Sequence, residues 1–174
     1  MNYAEIKTTD IANGEGVRVS LFVSGCTHHC KNCFNSIAWD FDYGKPFTKE
    51  VQESLFEALS PDYIAGLSLL GGEPMEPQNQ EALLPFVEAV KERFPKKTIW
   101  CYTGFTLQKN GTFQEERANC KATKKLLSLI DVLVDGRFIE ELKDIRLVFR
   151  GSSNQRVIDL KRTFESNSIV LYLT

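Results

Sequence analysis

Val17-Arg-Val-Ser-Leu-Phe-Val-Ser-Gly-Cys-Thr-His-His-Cys-Lys-Asn-Cys33 joins a short apolar run to a polar loop that carries three cysteines. Its first seven residues read as a strand, and Ser24-Gly25 ends it. The same event recurs down the chain. Gly66-Leu-Ser-Leu-Leu70 stops at Gly71-Gly72, Thr98-Ile-Trp-Cys-Tyr102 at Thr103-Gly104, and Val132-Leu-Val134 at Asp135-Gly136. Segments of helical period lie between them. Thr48 is an N-cap for a helix with Val51, Leu55, Ala58 and Leu59 on one face. Leu83, Phe86, Val87, Val90 and Phe94 form a second stripe, in which Pro85 marks a start or a kink. Ala122, Leu126, Leu127 and Ile130 form a third. Ile145–Phe149 and Ile169–Leu173 are candidates for two further strands. Nearly continuous apolar strands alternating with helices predict an α/β protein with a parallel sheet. The glycine-rich and polar motifs all fall at strand C-termini, the edge where such sheets hold their ligands.

The chain has 174 residues, enough for one domain with its own core and too few for two of ordinary size, so residues 1–174 are expected to form a single domain. A net charge of −2 argues against a dedicated nucleic-acid binder. No apolar run is long enough to cross a membrane. The opening Met1-Asn-Tyr-Ala-Glu-Ile-Lys-Thr-Thr-Asp10 lacks the basic and apolar regions of a signal peptide, so a cytoplasmic protein is expected. In that compartment thiols stay reduced, and a tight cysteine group reads as metal-binding before it reads as a disulfide.

Cys26, Cys30 and Cys33 have the spacing C-x3-C-x2-C. Thiolates suit iron–sulfur clusters and zinc. A cubane has four iron corners, so three thiolates leave one corner open to a small chelating ligand. The alternative is a zinc-stabilised binding module, with His28 or His29 as fourth ligand. Structural zinc usually takes its ligands from two separated pairs, whereas all these candidates share one eight-residue loop.

The loop after the first strand resembles the signature of the radical S-adenosylmethionine superfamily. Asn13-Gly-Glu-Gly16-Val-Arg18, Phe22 and Gly25-Cys26 are similar to its glycyl-radical-enzyme activases. Trp100–Gly104, Asp131–Gly136 and Phe149–Gln155 resemble those that act on anaerobic ribonucleoside-triphosphate reductase. The resemblance implies a partial (β/α) barrel of about five to six mostly parallel strands. It implies a [4Fe–4S] cluster on Cys26, Cys30 and Cys33, and S-adenosylmethionine as second cofactor. Asn32, Cys33 and Phe34 would lie against that cofactor through the loop backbone. Gly71, Gly72 and Glu73 would receive its amino group, with Glu73 adding negative charge near the ammonium. Many superfamily members carry an aromatic residue just before the third cysteine; here Asn32 stands there and Phe34 follows it. The implied activity is reductive cleavage of S-adenosylmethionine to a 5′-deoxyadenosyl radical, which makes a glycyl radical on the reductase. Activation of another glycyl-radical enzyme, or radical chemistry on a small molecule, is the alternative within enzymes. The implied partners are the reductase and an external one-electron donor such as a flavodoxin-type protein, with no nucleic acid and no membrane. No side chain is needed as general acid or base.

Other residues carry weaker signals. His28 and His29 are expected beside the cluster in packing or hydrogen-bonding roles. Arg18 reads equally as a surface charge or as a residue facing the site. Cys101 reads as a buried small hydrophobe and Cys120 as exposed. Asp135 is either a substrate ligand or an ordinary strand-ending turn. Arg150–Gln155 either binds part of a cofactor or closes the mouth of the sheet. The segment after Gln155 is expected to add an edge strand or contact a partner.

Overall fold

The computed structural model describes residues 1–174. Eight strands form one sheet: β1 (Asn2–Asp10), β2 (Val17–Val23), β3 (Lys45–Pro46), β4 (Ile64–Gly71), β5 (Thr98–Tyr102), β6 (Val132–Asp135), β7 (Arg156–Asp159) and β8 (Leu171–Leu173). Their order is β3-β1-β2-β4-β5-β6-β7-β8. The four strands read from the sequence form the parallel centre, β2-β4-β5-β6. The outer pairings are all antiparallel. The expected five to six mostly parallel strands are therefore corrected to eight in a mixed sheet. Ile145–Phe149 is irregular rather than a strand, with Ile145 exposed, whereas Leu171–Leu173 does form the edge strand β8.

Helices α1 (Lys49–Leu59), α2 (Pro77–Arg93) and α3 (Thr123–Leu129) make the crossovers, and α4 (Leu160–Ser166) joins β7 to β8. Thr48 caps α1 by accepting from the Val51 N–H. Pro77 begins α2 at a position where a missing N–H costs nothing, and Pro85 sits inside the helix without ending it. No helix is long and apolar enough to cross a membrane.

Period-two alternation divides the sheet into two unlike faces. Val19, Leu21, Leu67, Leu69, Ile99 and Leu133 pack under the helices with Leu55, Leu83, Phe86, Val87 and Leu126 in one buried core. The opposite, inner face carries Arg18, Ser20, Ser68, Trp100, Val132, Val134 and Val157, and irregular chain covers it. The β1–β2 connection, residues 11–16, crosses this face as a strap: Ser68 Oγ donates to the Asn13 carbonyl at 2.6 Å, and Asn13 Nδ2 donates to Asp10 Oδ2 at 2.6 Å. Tyr172 on β8 donates to Glu15 Oε2 on the strap at 2.7 Å and meets Trp100 edge-on. The far edge of the sheet thus touches the segment leading into β2.

Arg18 lies under the strap, neither on the surface nor in contact with the site, with 1% of its area exposed. All five of its N–H donors are used: on Ser68 Oγ, Thr98 Oγ1 and the carbonyls of Glu15, Leu67 and Thr98. None goes to a carboxylate. Burial lowers its pKa to about 10. The five acceptors and the Trp100 face, 5.6 Å away, offset part of that desolvation.

Candidate functional site

Each parallel strand delivers a loop to the same edge of the sheet. The first runs from Ser24 to Phe34. Gly25 N–H donates to the Ala38 carbonyl at 2.8 Å and Cys26 N–H to the Trp39 carbonyl at 3.1 Å, which pins the start of the loop. His29 (φ 50°) and Asn32 (φ 56°) both take the left-handed conformation, and Cys33 N–H closes a turn on the Cys30 carbonyl at 3.1 Å. Two reversals in four residues make so short a loop curl. The second loop, Gly71–Glu76, packs directly on the first. Gly72 N–H donates to the Val23 carbonyl and Glu73 N–H to the Gly25 carbonyl. A Cβ on Gly72 would lie 2.5 Å from the Gly25 carbonyl oxygen and 2.8 Å from that of Ala38, so only glycine fits between them.

The loops enclose an open cavity of about 490 Å³, in the ordinary range for a cofactor or small-molecule site. Every residue expected at the site lines it: Cys26, Cys30 and Cys33, Asn32 and Phe34, and Gly71, Gly72 and Glu73. Phe34 is 87% exposed, so its ring stands at the mouth rather than on the wall. The strap supplies Ala12 and Asn13 to the lining, and Arg150, Gly151 and Gln155 also border it. The Arg150–Gln155 segment thus contributes to the cavity wall.

The Glu73 carboxylate is 1% exposed and is spent on the protein itself. Its Oε2 accepts from His28 Nε2 at 2.8 Å and from Gly104 N–H at 2.7 Å, and its Oε1 accepts from Met75 N–H at 2.8 Å. A charge-assisted group with three internal donors fixes loop positions. The nearby Glu76 holds the cysteine loop as well, accepting from the backbone N–H and hydroxyl of Thr27, with Arg117 against both Thr27 and Glu76. Sequence alone singled out Asn13 only as part of the Asn13–Arg18 motif, and did not single out Glu76, Arg117, Trp39 or the strap residue Ala12. Their only signal is proximity to the cysteines, and that exists only after folding.

A cluster of thiolates fits this site better than a zinc ion does. No three Cys, His, Asp or Glu side chains come together as ligands of a single ion. A lone zinc would need four donors at roughly 2.0–2.3 Å from one centre, whereas a cubane engages each thiolate at a different iron. His28 is committed to Glu73, and His29 stacks on Trp39 with ring centroids 4.5 Å apart. Neither comes together with two of the cysteines as ligands of one ion. Burial pushes the Cys26 thiol up to about 12, so loading a metal there releases a proton.

The remaining candidates have structural places. Cys101 is fully buried in the core. Cys120 is half-buried rather than exposed, with its Sγ 3.6 Å from Gln80 Oε1. Asp135 is buried outside the cavity wall and paired with Arg156, so it belongs to the strand end and not to a ligand.

Comparison with known proteins agrees with this donor set. A family model described as a 4Fe-4S single cluster domain matches residues 12–158. The chain is 44% identical over 159 residues to the anaerobic ribonucleoside-triphosphate reductase-activating protein of Pasteurella multocida, covering 89% of this chain and 95% of that protein. It is 45% identical over 157 residues to the protein of the same name from Haemophilus influenzae, covering 89% and 96%. The match to that of Escherichia coli K12 is 40% over 163 residues, covering 92% of this chain and 100% of the relative. At such identity over nearly the whole of both chains, with the cluster-domain match across the same residues, this chain belongs to the family of anaerobic ribonucleoside-triphosphate reductase-activating proteins.

Proposed function

We propose that this chain is a radical S-adenosylmethionine activase that makes a glycyl radical on anaerobic ribonucleoside-triphosphate reductase. The observation that supports it is the meeting of Cys26, Cys30 and Cys33 with Gly71, Gly72 and Glu73 around one cavity at the strand ends. Cys26, Cys30 and Cys33 would hold the [4Fe–4S] cluster, with S-adenosylmethionine bound beside it at Gly71, Gly72 and Glu73. Reduced by an external one-electron donor, the bound cluster would supply the electron for reductive cleavage of S-adenosylmethionine to methionine and a 5′-deoxyadenosyl radical, the chemistry that would make the glycyl radical on the reductase.

The chain's own residues supply position. The left-handed turns at His29 and Asn32 aim Cys30 and Cys33 at the cavity, and the backbone of Asn32–Phe34 would lie along the cofactor. Gly71 and Gly72 let main-chain groups approach its ammonium, and the buried Glu73 adds negative charge beside them. Holding sulfonium and cluster in contact is a proximity effect, and no general acid or base is required. The sheet acts as a partial barrel. Support for this comes from its helix-free inner face and from the Tyr172–Glu15 contact across that face. The reductase then covers the open side.

The test is anaerobic reconstitution with iron and sulfide, then dithionite and S-adenosylmethionine. The expected products are methionine and 5′-deoxyadenosine, and added reductase gains a glycyl radical seen by electron paramagnetic resonance. Alanine at Cys26, Cys30 or Cys33 should abolish both, whereas serine at Cys101 or Cys120 should leave the iron content unchanged. Stoichiometric zinc with no cleavage, or full activity without one of the three cysteines, would overturn the reading.

A further inference from the structure

The loops after all four parallel strands meet at a single residue. His28 lies between two of the cysteines, after β2, with only 9% of its area exposed. Its Nε2 donates to Glu73 Oε2 in the loop after β4. Its ring packs on Phe105 after β5, with centroids 4.4 Å apart, and the adjoining Gly104 N–H donates to the same Glu73 oxygen. Its carbonyl accepts from Arg137 Nη2 after β6, at 2.6 Å. The fit is tight: a Cβ on Gly104 would lie 2.6 Å from Nε2. None of these bonds engages Cys26, Cys30 or Cys33.

We propose that His28 is a positioning residue that ties the cysteine loop to Glu73, and so sets the angle at which the fourth iron faces Gly71 and Gly72. This rests on the function proposed above. A side chain that hydrogen-bonds into a loop carrying metal ligands orients those ligands without itself binding metal, and outer-shell partners of this kind typically change affinity or activity by about 10- to 100-fold. The consequence is a separation of effects. Without the His28–Glu73 bond the three thiols still hold a full cluster, but its open corner no longer meets the groups that receive S-adenosylmethionine.

The test compares wild type, His28→Leu and His28→Gln after anaerobic reconstitution. Leucine keeps apolar bulk against Phe105 and removes the donor; glutamine returns an N–H that reaches Glu73. Three quantities are read: iron and sulfide per chain, the dissociation constant for S-adenosylmethionine, and the change it induces in the electron paramagnetic resonance spectrum of the reduced cluster. The leucine variant should keep wild-type iron, bind about tenfold or more weakly, and lose most of the spectral change; glutamine should restore both. Wild-type binding and spectral change in the leucine variant would overturn the proposal, as would iron loss, which would make His28 a ligand, or no rescue by glutamine. Should the leucine variant not fold, Gly104→Ala displaces the imidazole with His28 in place and should give the same pattern. A wild-type protein that never binds S-adenosylmethionine refutes the proposed function itself, whereas a defect-free leucine variant refutes only the role of His28.

Discussion

Replacing Asp135 by asparagine should lower the melting temperature by about 6–12 °C. The carboxylate is fully buried, and its two oxygens accept from Arg156 Nε and Nη2; Oδ2 also accepts from the Leu107 N–H at 2.8 Å. Arg156 Nη2 in turn donates to the Leu107 carbonyl, so the pair holds β6, β7 and the chain after β5 together. The ion pair also raises the pKa of Arg156. Asparagine keeps one acceptor but turns an NH₂ group toward a guanidinium nitrogen, which loses a charge-assisted bond and leaves the cation unpaired. Removing one partner of a buried pair costs about 3–5 kcal/mol. The Arg156 side chain is 32% exposed and recovers some hydration, which selects the low end, about 3 kcal/mol. For a chain of this size each kcal/mol is worth about 2–4 °C, hence the range. Thermal melts of Asp135→Asn, Arg156→Met and the double variant form the cycle, in which a coupling above about 1 kcal/mol is expected. A fall of less than about 2 °C, or additivity within error, would show that the pair does not hold this corner and would refute the reasoning.

Two further outcomes follow from single positions. Gly72→Ala forces a methyl group between the carbonyls of Gly25 and Ala38 and should cost about 2 kcal/mol or more of stability along with cofactor binding, measured by denaturant melts and by ligand titration. Burial acts to raise the Asp10 pKa, but bonds from Ser20, Asn13 and the Ala12 N–H outweigh it and hold the carboxyl below its ordinary value. Its stabilising contribution is therefore complete above the unfolded pKa near about 4 and is lost as pH falls through the lower folded value; Asp10→Asn should flatten the acid limb of a stability–pH curve.

What the sequence disclosed followed how strongly each element was forced to be apolar. β2, β4, β5 and β6 are buried on both faces, so each reads as a mostly apolar run broken at most by Arg18, Ser20 or Ser68, and each was found. β1 is a half-exposed strand whose pairing slips between Tyr3 and Glu5 and again between Lys7 and Asp10, so its alternation is broken where a period of two would show. β7 has four residues, too few for any period. Ile145–Phe149 has strand-like composition but meets no partner strand, and Ile145 stands 93% exposed; composition cannot report an absent neighbour. The site was legible for the same reason as the central strands. Its residues follow those strands at once, so finding each strand's end also finds its loop. Glu76 and Arg117 sit farther from a strand end and reach the cysteine loop only through the fold.

The two faces of the sheet explain why a chain of this length can hold a site of this size. Helices on both faces would bury Ser20, Ser68 and Arg18 under apolar side chains, where each would need a partner from a helix. Here the inner face is covered by a strap whose backbone carbonyls at Asn13 and Glu15 accept from Ser68 and Arg18, while Ser20 donates to the Asp10 carboxylate on β1. A strap is thinner than a helix, about 10 Å across with its side chains, so space remains above it toward the strand ends. That space is the cavity, with Ala12 and Asn13 on its wall. The buried Arg18 is thus tied to the site through packing: it holds the Glu15 carbonyl at 3.1 Å while Tyr172 holds the Glu15 side chain, so the strap is fixed between β2 and the last strand. Loss of the Arg18 guanidinium would leave five acceptors facing one another under the strap, and the wall carrying Asn13 would be the first part of the site to move.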